Sequence, residues 1–488
     1  MYNRLLVSIV ATFTLTGCGE VFNVIFDDNE SEVSTTTAEL PTQPPVKTDM
    51  EIASEELTQT LLSVSSTGKL DAFLLPESDD FDRIPQDPNN PITEAKVALG
   101  KVLFHETGLA TAGVNTSLVG TWSCASCHHA DAGFKSGVLQ GIGEGGEGFG
   151  SRGALRSFID GFSADSDDPT LIPDVQPVTS PTILNTAYQE VMLWNGQFGN
   201  QDNGIINNGL PQDVLLKPGT PIAENARGLS GLETQVVAGL GVHRMKIDES
   251  SLVMTLPAYA EMFDDAFPNG SEDLTQDVSK AIAAYERTVL ANQAPFQQWL
   301  RGDQSAMTLD EVRGANLFFG EANCSACHTG PALSSPENAA EHEIFFAIGF
   351  ADLDESDPAV TGSVPDGIKR GRGGFTNDPD DDYKFKIPTL YNLADTNVFG
   401  HGGSFDSVRA VVEYKNNAVP QSADVPVDKL DYRFTPLGLS EQDIDDLVAF
   451  LENGLRDSNL QRYVPETLPS GNCPINADEA SKADLGCY

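Results

Sequence analysis

The chain has 488 residues, 40% of them hydrophobic and 21% charged, enough for two or three globular domains. Its 72 acidic residues against 29 basic ones leave a net charge of −43. That balance excludes nucleic acid and anionic membrane surfaces as partners held by charge, and it serves solvation or a basic partner.

Residues 1–18 read as an export segment. Arg4 supplies a cationic start, "LLVSIVATFTL" is too short to span a bilayer, and "LTGC" sets small residues ahead of Cys18. The pattern resembles the lipobox of bacterial lipoproteins. It implies lipidation at Cys18 and a periplasmic protein held to a membrane, the outer one, by that lipid alone. Residues 19–73 are acidic and rich in Ser, Thr and Pro, which reads as a flexible tether. A first folded domain is expected over 74–300, opening with a helix in "PITEAKVALGKVLFHE". Between Ala132 and Gly231 the Gly, Asn, Asp and Pro content predicts long irregular loops, with short helices such as "SPTILNTAYQEVML". The Gly-x-Gly repeats there follow no strand and form no dinucleotide fingerprint. Helical patterning returns in "LTQDVSKAIAAYERTVL", and Thr308 with Glu311 forms a capping box. A second domain is expected over 301–465, closing with the helix "SEQDIDDLVAFLENGL". Residues 466–488 form a tail in which Cys473 and Cys487 are expected to pair in an oxidising compartment. The fold class is mainly α, with long loops and little sheet.

The chemistry lies in a repeat. Cys124-Ala-Ser-Cys127-His128 and Cys324-Ser-Ala-Cys327-His328 stand 200 positions apart, after the similar words "ALGKVLFHE" and "RGANLFFGE". In C-x-x-C-H the two thiols add across haem vinyl groups and the histidine becomes the proximal iron ligand. Zinc would want four closed ligands, and a thiol redox pair does not need the histidine. Two related domains, each with a covalent c-type haem, are the simplest account. A pure electron carrier has both irons closed, whereas a peroxidase needs one open face with an acid/base group beside it.

The segments "CASCHH", "SPTILNTAYQEVMLWNGQFG", "KAIAAYERTVLANQ", "RGANLFFGEANCSACHTGP", "KFKIPTLYNLADT" and "HGGSFDSVRAVVEY" resemble, in order, the bacterial dihaem cytochrome c peroxidase/MauG family. The resemblance implies two cytochrome-c-like domains, a peroxidatic first haem and an electron-entry second haem. It also implies a calcium ion between them and a homodimer. Trp194 matches an electron relay between the haems. No histidine occurs from Ala130 to Thr179, so the first iron is expected to be open. The family's distal glutamate segment falls on "VHRM", which makes His243 the candidate for acid/base work and Arg244 the candidate for stabilising negative charge on oxygen. Tyr414 or Lys415 is the candidate sixth ligand of the second haem. Thr179, Thr396 and the Val398 carbonyl match calcium positions. The expected function is reduction of hydrogen peroxide with electrons from a small cytochrome c or cupredoxin. The alternatives are a MauG-like oxidase acting on a protein or small molecule, and a dihaem electron-transfer cytochrome without turnover.

Overall fold

The computed structural model describes residues 47–149, 156–189, 191–202, 205–207, 229–270, 273–334 and 344–487. Cys18, the export segment and most of the tether lie outside them. Residues from Asp49 onward form one compact unit.

Eight helices frame it: α1 (Asp49–Val64), α2 (Glu94–Phe104), α3 (Gly231–Val242), α4 (Pro257–Ala266), α5 (Leu274–Thr288), α6 (Leu309–Phe319), α7 (Val408–Asn417) and α8 (Glu441–Ala449). Among the described residues the sheet is limited to three antiparallel pairs. These are β1 (Gly146–Glu147) with β2 (Ser157–Phe158), β3 (Asn200–Asp202) with β4 (Ile205–Asn207), and β5 (Phe345–Phe346) with β6 (Phe385–Lys386). No helix among the described residues is long and apolar enough to cross a membrane.

Local chemistry sets the helix starts. Thr93 caps α2 by accepting from the Lys96 N–H at 3.2 Å. Thr308 and Glu311 form the expected reciprocal box on α6, and Ser440 with Asp443 does the same for α8. Two helix crossings then repeat. A Cβ at Gly100 would sit 1.9 Å from the Ala281 carbonyl oxygen, and one at Gly314 would sit 1.9 Å from the Asp446 carbonyl oxygen. Glycine therefore lets α2 cross α5, and α6 cross α8, backbone to backbone. Each crossing precedes a C-x-x-C-H loop in the chain, so the duplicated sequence words encode a duplicated scaffold.

Three expectations are corrected. The tether does not extend to residue 73, because Ala53, Leu57 and Leu61 recur at helical spacing and bury one face of α1 against α6. A single apolar core, from Leu99 and Tyr285 through Phe318 to Phe450, spans the boundary expected at residue 300. The two halves are thus repeats within one body. Among the described residues of "SPTILNTAYQEVML" the helical structure is a 3₁₀ turn, Thr186–Tyr188. Asn185 turns left-handed there (φ 61°), and its side chain accepts from the Ala291 N–H at 3.0 Å, which diverts the backbone from a helix.

Candidate haem sites and the distal pair

Each C-x-x-C-H loop is a 3₁₀ turn, Cys124–Ser126 and Cys324–Ala326. All four of these cysteines are unpaired, and burial pushes the Cys124, Cys127 and Cys324 thiols up to about 12. His128 Nδ1 donates to the Phe134 carbonyl at 3.3 Å, and His328 Nδ1 donates to the Leu333 carbonyl at 3.1 Å. A proton fixed on Nδ1 leaves Nε2 with its lone pair free for a metal. Burial holds both rings neutral, at about 4. Thiols and histidines therefore fit two covalent haems.

The repeat extends further than the cysteines suggest. Phe134 and Leu333, whose carbonyls hold the histidines, are both left-handed (φ 59° and 48°). The backbones of Pro181 and Pro388 also face the two rings as acceptors. Thr182 donates to the Gly133 carbonyl and Thr389 to the Ala332 carbonyl, each at 2.7 Å. Asn185 and Asn392 then turn left-handed (φ 61° and 58°). A second duplicated word, Pro-Thr-x-x-Asn at 181–185 and 388–392, thus supports each proximal histidine. The repeat is visible in the sequence itself.

The expected distal residues gather at the first site. His243 caps the end of α3, its carbonyl accepting from Trp122 Nε1 at 2.9 Å. Its Nδ1 lies 3.1 Å from Asp174 Oδ2. Burial alone would depress this histidine, but the Asp174 carboxylate, by charge and hydrogen bond, more than offsets it and the pKa is raised. Trp122 stands two residues ahead of Cys124, so its bond to the His243 carbonyl ties the pair to the segment that carries the first haem motif. Arg244, left-handed at φ 53°, is committed elsewhere: its Nη1 binds buried Glu144 at 2.5 Å and the Ile172 carbonyl at 3.0 Å. It fixes the loop that presents His243. Glu286 on α5 was not anticipated. Its carboxyl is buried with Oε2 unpartnered, close enough to raise the Cys124 thiol, and burial pushes it up to about 8.

The tail is part of this site. Cys473 and Cys487 are disulfide-bonded. Just ahead of that loop, Ser470 and Asn472 donate to buried Glu106 at 2.6 and 2.8 Å. Ser123 and Ser126 of the first haem loop donate to the Ile475 carbonyl at 2.7 and 3.2 Å, and Asp478 pairs with buried Arg156 at 3.0 Å.

Trp194 lines a cavity of about 80 Å³ between the halves, with Lys135, Pro181, Lys386 and Thr396. Its indole donates to the Thr179 carbonyl at 2.9 Å and meets the His401 ring edge-on at 6.4 Å. Calcium does not fit the positions expected for it. The Thr179 hydroxyl donates to the Gly400 carbonyl at 2.9 Å, and Thr396 Oγ1 accepts from the Val398 N–H at 3.2 Å. The Val398 carbonyl accepts from Lys135 Nζ at 2.5 Å. A cation already stands there, and among the described residues no group of three or more His, Cys, Asp or Glu side chains could hold a metal ion.

At the second site Tyr414 and Lys415 part company. The Tyr414 hydroxyl donates to the Ile348 carbonyl. The Lys415 ammonium sits 5.7 Å from the Phe350 ring centre and 5.5 Å from that of Phe434. Burial pushes it down to about 8, and its charge is felt at Cys324, Cys327 and His328.

Comparison with known proteins agrees with this geometry. The pattern of the di-haem cytochrome c peroxidase family matches residues 94–305. Cytochrome-c peroxidase IdrP1 of Denitromonas iodatirespirans is 31% identical, over 76% of this chain and 84% of its own. Methylamine utilization protein MauG of Methylorubrum extorquens is 27% identical, over 78% and 82%. Cytochrome c551 peroxidase of Pseudomonas aeruginosa is 25% identical, over 74% and 79%. A solved MauG-like protein associated with microbial copper homeostasis superimposes with a TM-score of 0.52 at 25% identity, over 79% of this chain and 95% of its own. With both C-x-x-C-H loops built to hold haem, the chain belongs to the dihaem cytochrome c peroxidase/MauG family and is a peroxidase-like oxidoreductase with two c-type haems.

Proposed function

We propose that this protein reduces hydrogen peroxide to water at its first haem site. A small cytochrome c or cupredoxin supplies electrons at the second site, and Trp194 lies on the route between them. Hydrogen peroxide takes up two electrons and two protons and yields two waters. The haems, when bound, supply the iron redox chemistry. The chain supplies proton handling and order. His243 takes the proton from the incoming peroxide and returns it to the departing oxygen. Asp174 holds the His243 ring by Nδ1 at 3.1 Å and keeps Nε2 aimed away from the pair. Arg244 and Glu144 fix the loop. The observation that carries this reading is the His243–Asp174 pair, tied through Trp122 to the segment of the first C-x-x-C-H motif, in a chain with no histidine from Ala130 to Thr179 to close that iron.

His243→Ala is expected to lower peroxide turnover by ~10²–10⁴-fold with both haems retained. Unchanged turnover would remove His243 from the mechanism. The similarity to MauG and to a MauG-like structure favours a second reading, in which the oxidising equivalents act on a protein or small molecule. Steady turnover of peroxide with reduced cytochrome c supports the first reading. Peroxide consumption without cytochrome oxidation, coupled to loss of a candidate substrate, supports the second.

The same proposal includes export and anchoring through a lipid on Cys18. The Cys473–Cys487 disulfide supports an oxidising compartment. Release of the Cys18→Ala protein from the membrane fraction is the expected result.

A further inference from the structure

Geometry separates the two candidate ligands on α7. Tyr414 and Lys415 are adjacent on that helix, so their side chains leave it ~100° apart and cannot both point at one iron. The Tyr414 ring is caged by Phe350, Phe405 and Phe434, with centres 5.1, 5.1 and 5.2 Å away. Its hydroxyl is spent on the Ile348 carbonyl. Binding a metal through that oxygen would mean breaking the hydrogen bond and leaving the cage. Lys415 has the opposite circumstances. Its amine projects between the faces of Phe350 and Phe434. It has no hydrogen bond or salt bridge among the described residues, since the one neighbouring carboxylate, Asp431, is taken by Arg433 at 2.8 Å. Its charge reaches Cys324, Cys327 and His328, the three residues that hold the haem.

We infer that Lys415 Nζ, and not the Tyr414 phenol, is the sixth ligand of the second haem, opposite His328. The amine binds as –NH₂: one N–Fe bond forms, one proton leaves the ammonium for solvent, and no electron moves. The two phenyl faces that steady the free ammonium then shield the bound amine from water. Ligation of this kind gives the second site two nitrogen donors and closes it to peroxide. Turnover is thereby confined to the first site. The inference rests on the chain's two-haem family and not on the proposed donor or substrate.

The test uses the full holo-protein in the ferric state, read by electron paramagnetic resonance and near-infrared magnetic circular dichroism. Haem content is measured in parallel. Wild type is expected to show one low-spin haem with two nitrogen ligands, accounting for half of the haem iron. Lys415→Ala should lose that signal and gain high-spin iron in the same amount, while Tyr414→Phe keeps it. A low-spin signal that survives Lys415→Ala, or that disappears in Tyr414→Phe, would overturn the assignment. Should Lys415→Ala fail to accumulate with two haems, the wild-type near-infrared band decides alone: a phenolate or thioether signature refutes the amine, and a nitrogen–nitrogen signature supports it. Peroxide reactivity of the first site is a separate measurement, so loss of the proposed function leaves these outcomes readable.

Discussion

At His243 burial and charge pull in opposite directions, and the balance makes a pH prediction. Burial favours the neutral ring, while Asp174 at 3.1 Å favours the imidazolium and prevails, so the pKa lies above the ordinary histidine value. Proton abstraction from peroxide needs the neutral ring, so kcat/KM is expected to rise with pH through that raised value. In Asp174→Asn the carboxylate is gone and burial dominates. The acid limb of the profile should then move to lower pH. The pair's contribution to stability has the matching sign. It is fully present below the unfolded histidine value of about 6.5 and is lost as pH rises through the raised folded value. An acid limb that stays in place in Asp174→Asn would show that another group, with Glu286 the next buried candidate, controls the rate.

The element that most changes the picture of the first site is the tail. The disulfide between Cys473 and Cys487 closes a loop with a sequence separation of 14, and that loop carries Ile475, Asn476 and Asp478 onto the first haem turn and Arg156. Removing both cysteines is expected to cost up to about 3 kcal/mol in the chain-entropy account. The loss should fall first on the haem bound at Cys124 and Cys127. Thermal melts followed at the absorption bands of the two haems should separate in Cys473→Ala/Cys487→Ala, the first site melting earlier. Coincident melts at the wild-type temperature would deny the tail this role. The strap also shows where sequence reading stops. Helices α2, α5, α6 and α8 were legible because apolar stripes and Thr, Asp or Ser caps announce them locally. The contact between Ser126 and Asn476 joins small polar residues 350 positions apart, which leaves no periodic trace. Helix α1 was hidden for a related reason, since its narrow stripe of Ala53, Leu57 and Leu61 is diluted by Ser, Thr and Glu.

Across the whole molecule, a net charge of −43 makes bound cations cheap to acquire at the surface. The cation between the two halves is nonetheless built into the chain. Lys135 comes from the loop after the first haem motif, and its ammonium reaches the Val398 carbonyl of the second half at 2.5 Å, over the Phe399 ring at 5.8 Å. Burial pushes it down to about 8, so it remains largely charged at neutral pH and surrenders that charge in mild alkali. Matching Thr179, Thr396 and Val398 by position could not reveal this, because the lysine lies far from all three in sequence. A divalent ion at the Val398 carbonyl would meet the ammonium as a like charge, so no calcium ion is expected at this position. Elemental analysis of the holo-protein is expected to find iron without stoichiometric calcium, and a chelator should leave melting temperature and haem spectra unchanged. Lys135→Met, which keeps the length and deletes the charge, should lower stability by about 1.5–3 kcal/mol through loss of a charged hydrogen bond. One calcium per chain in the purified wild type, or a chelator-induced fall in melting temperature, would mean that the lysine and the ion coexist and that the two halves are joined differently.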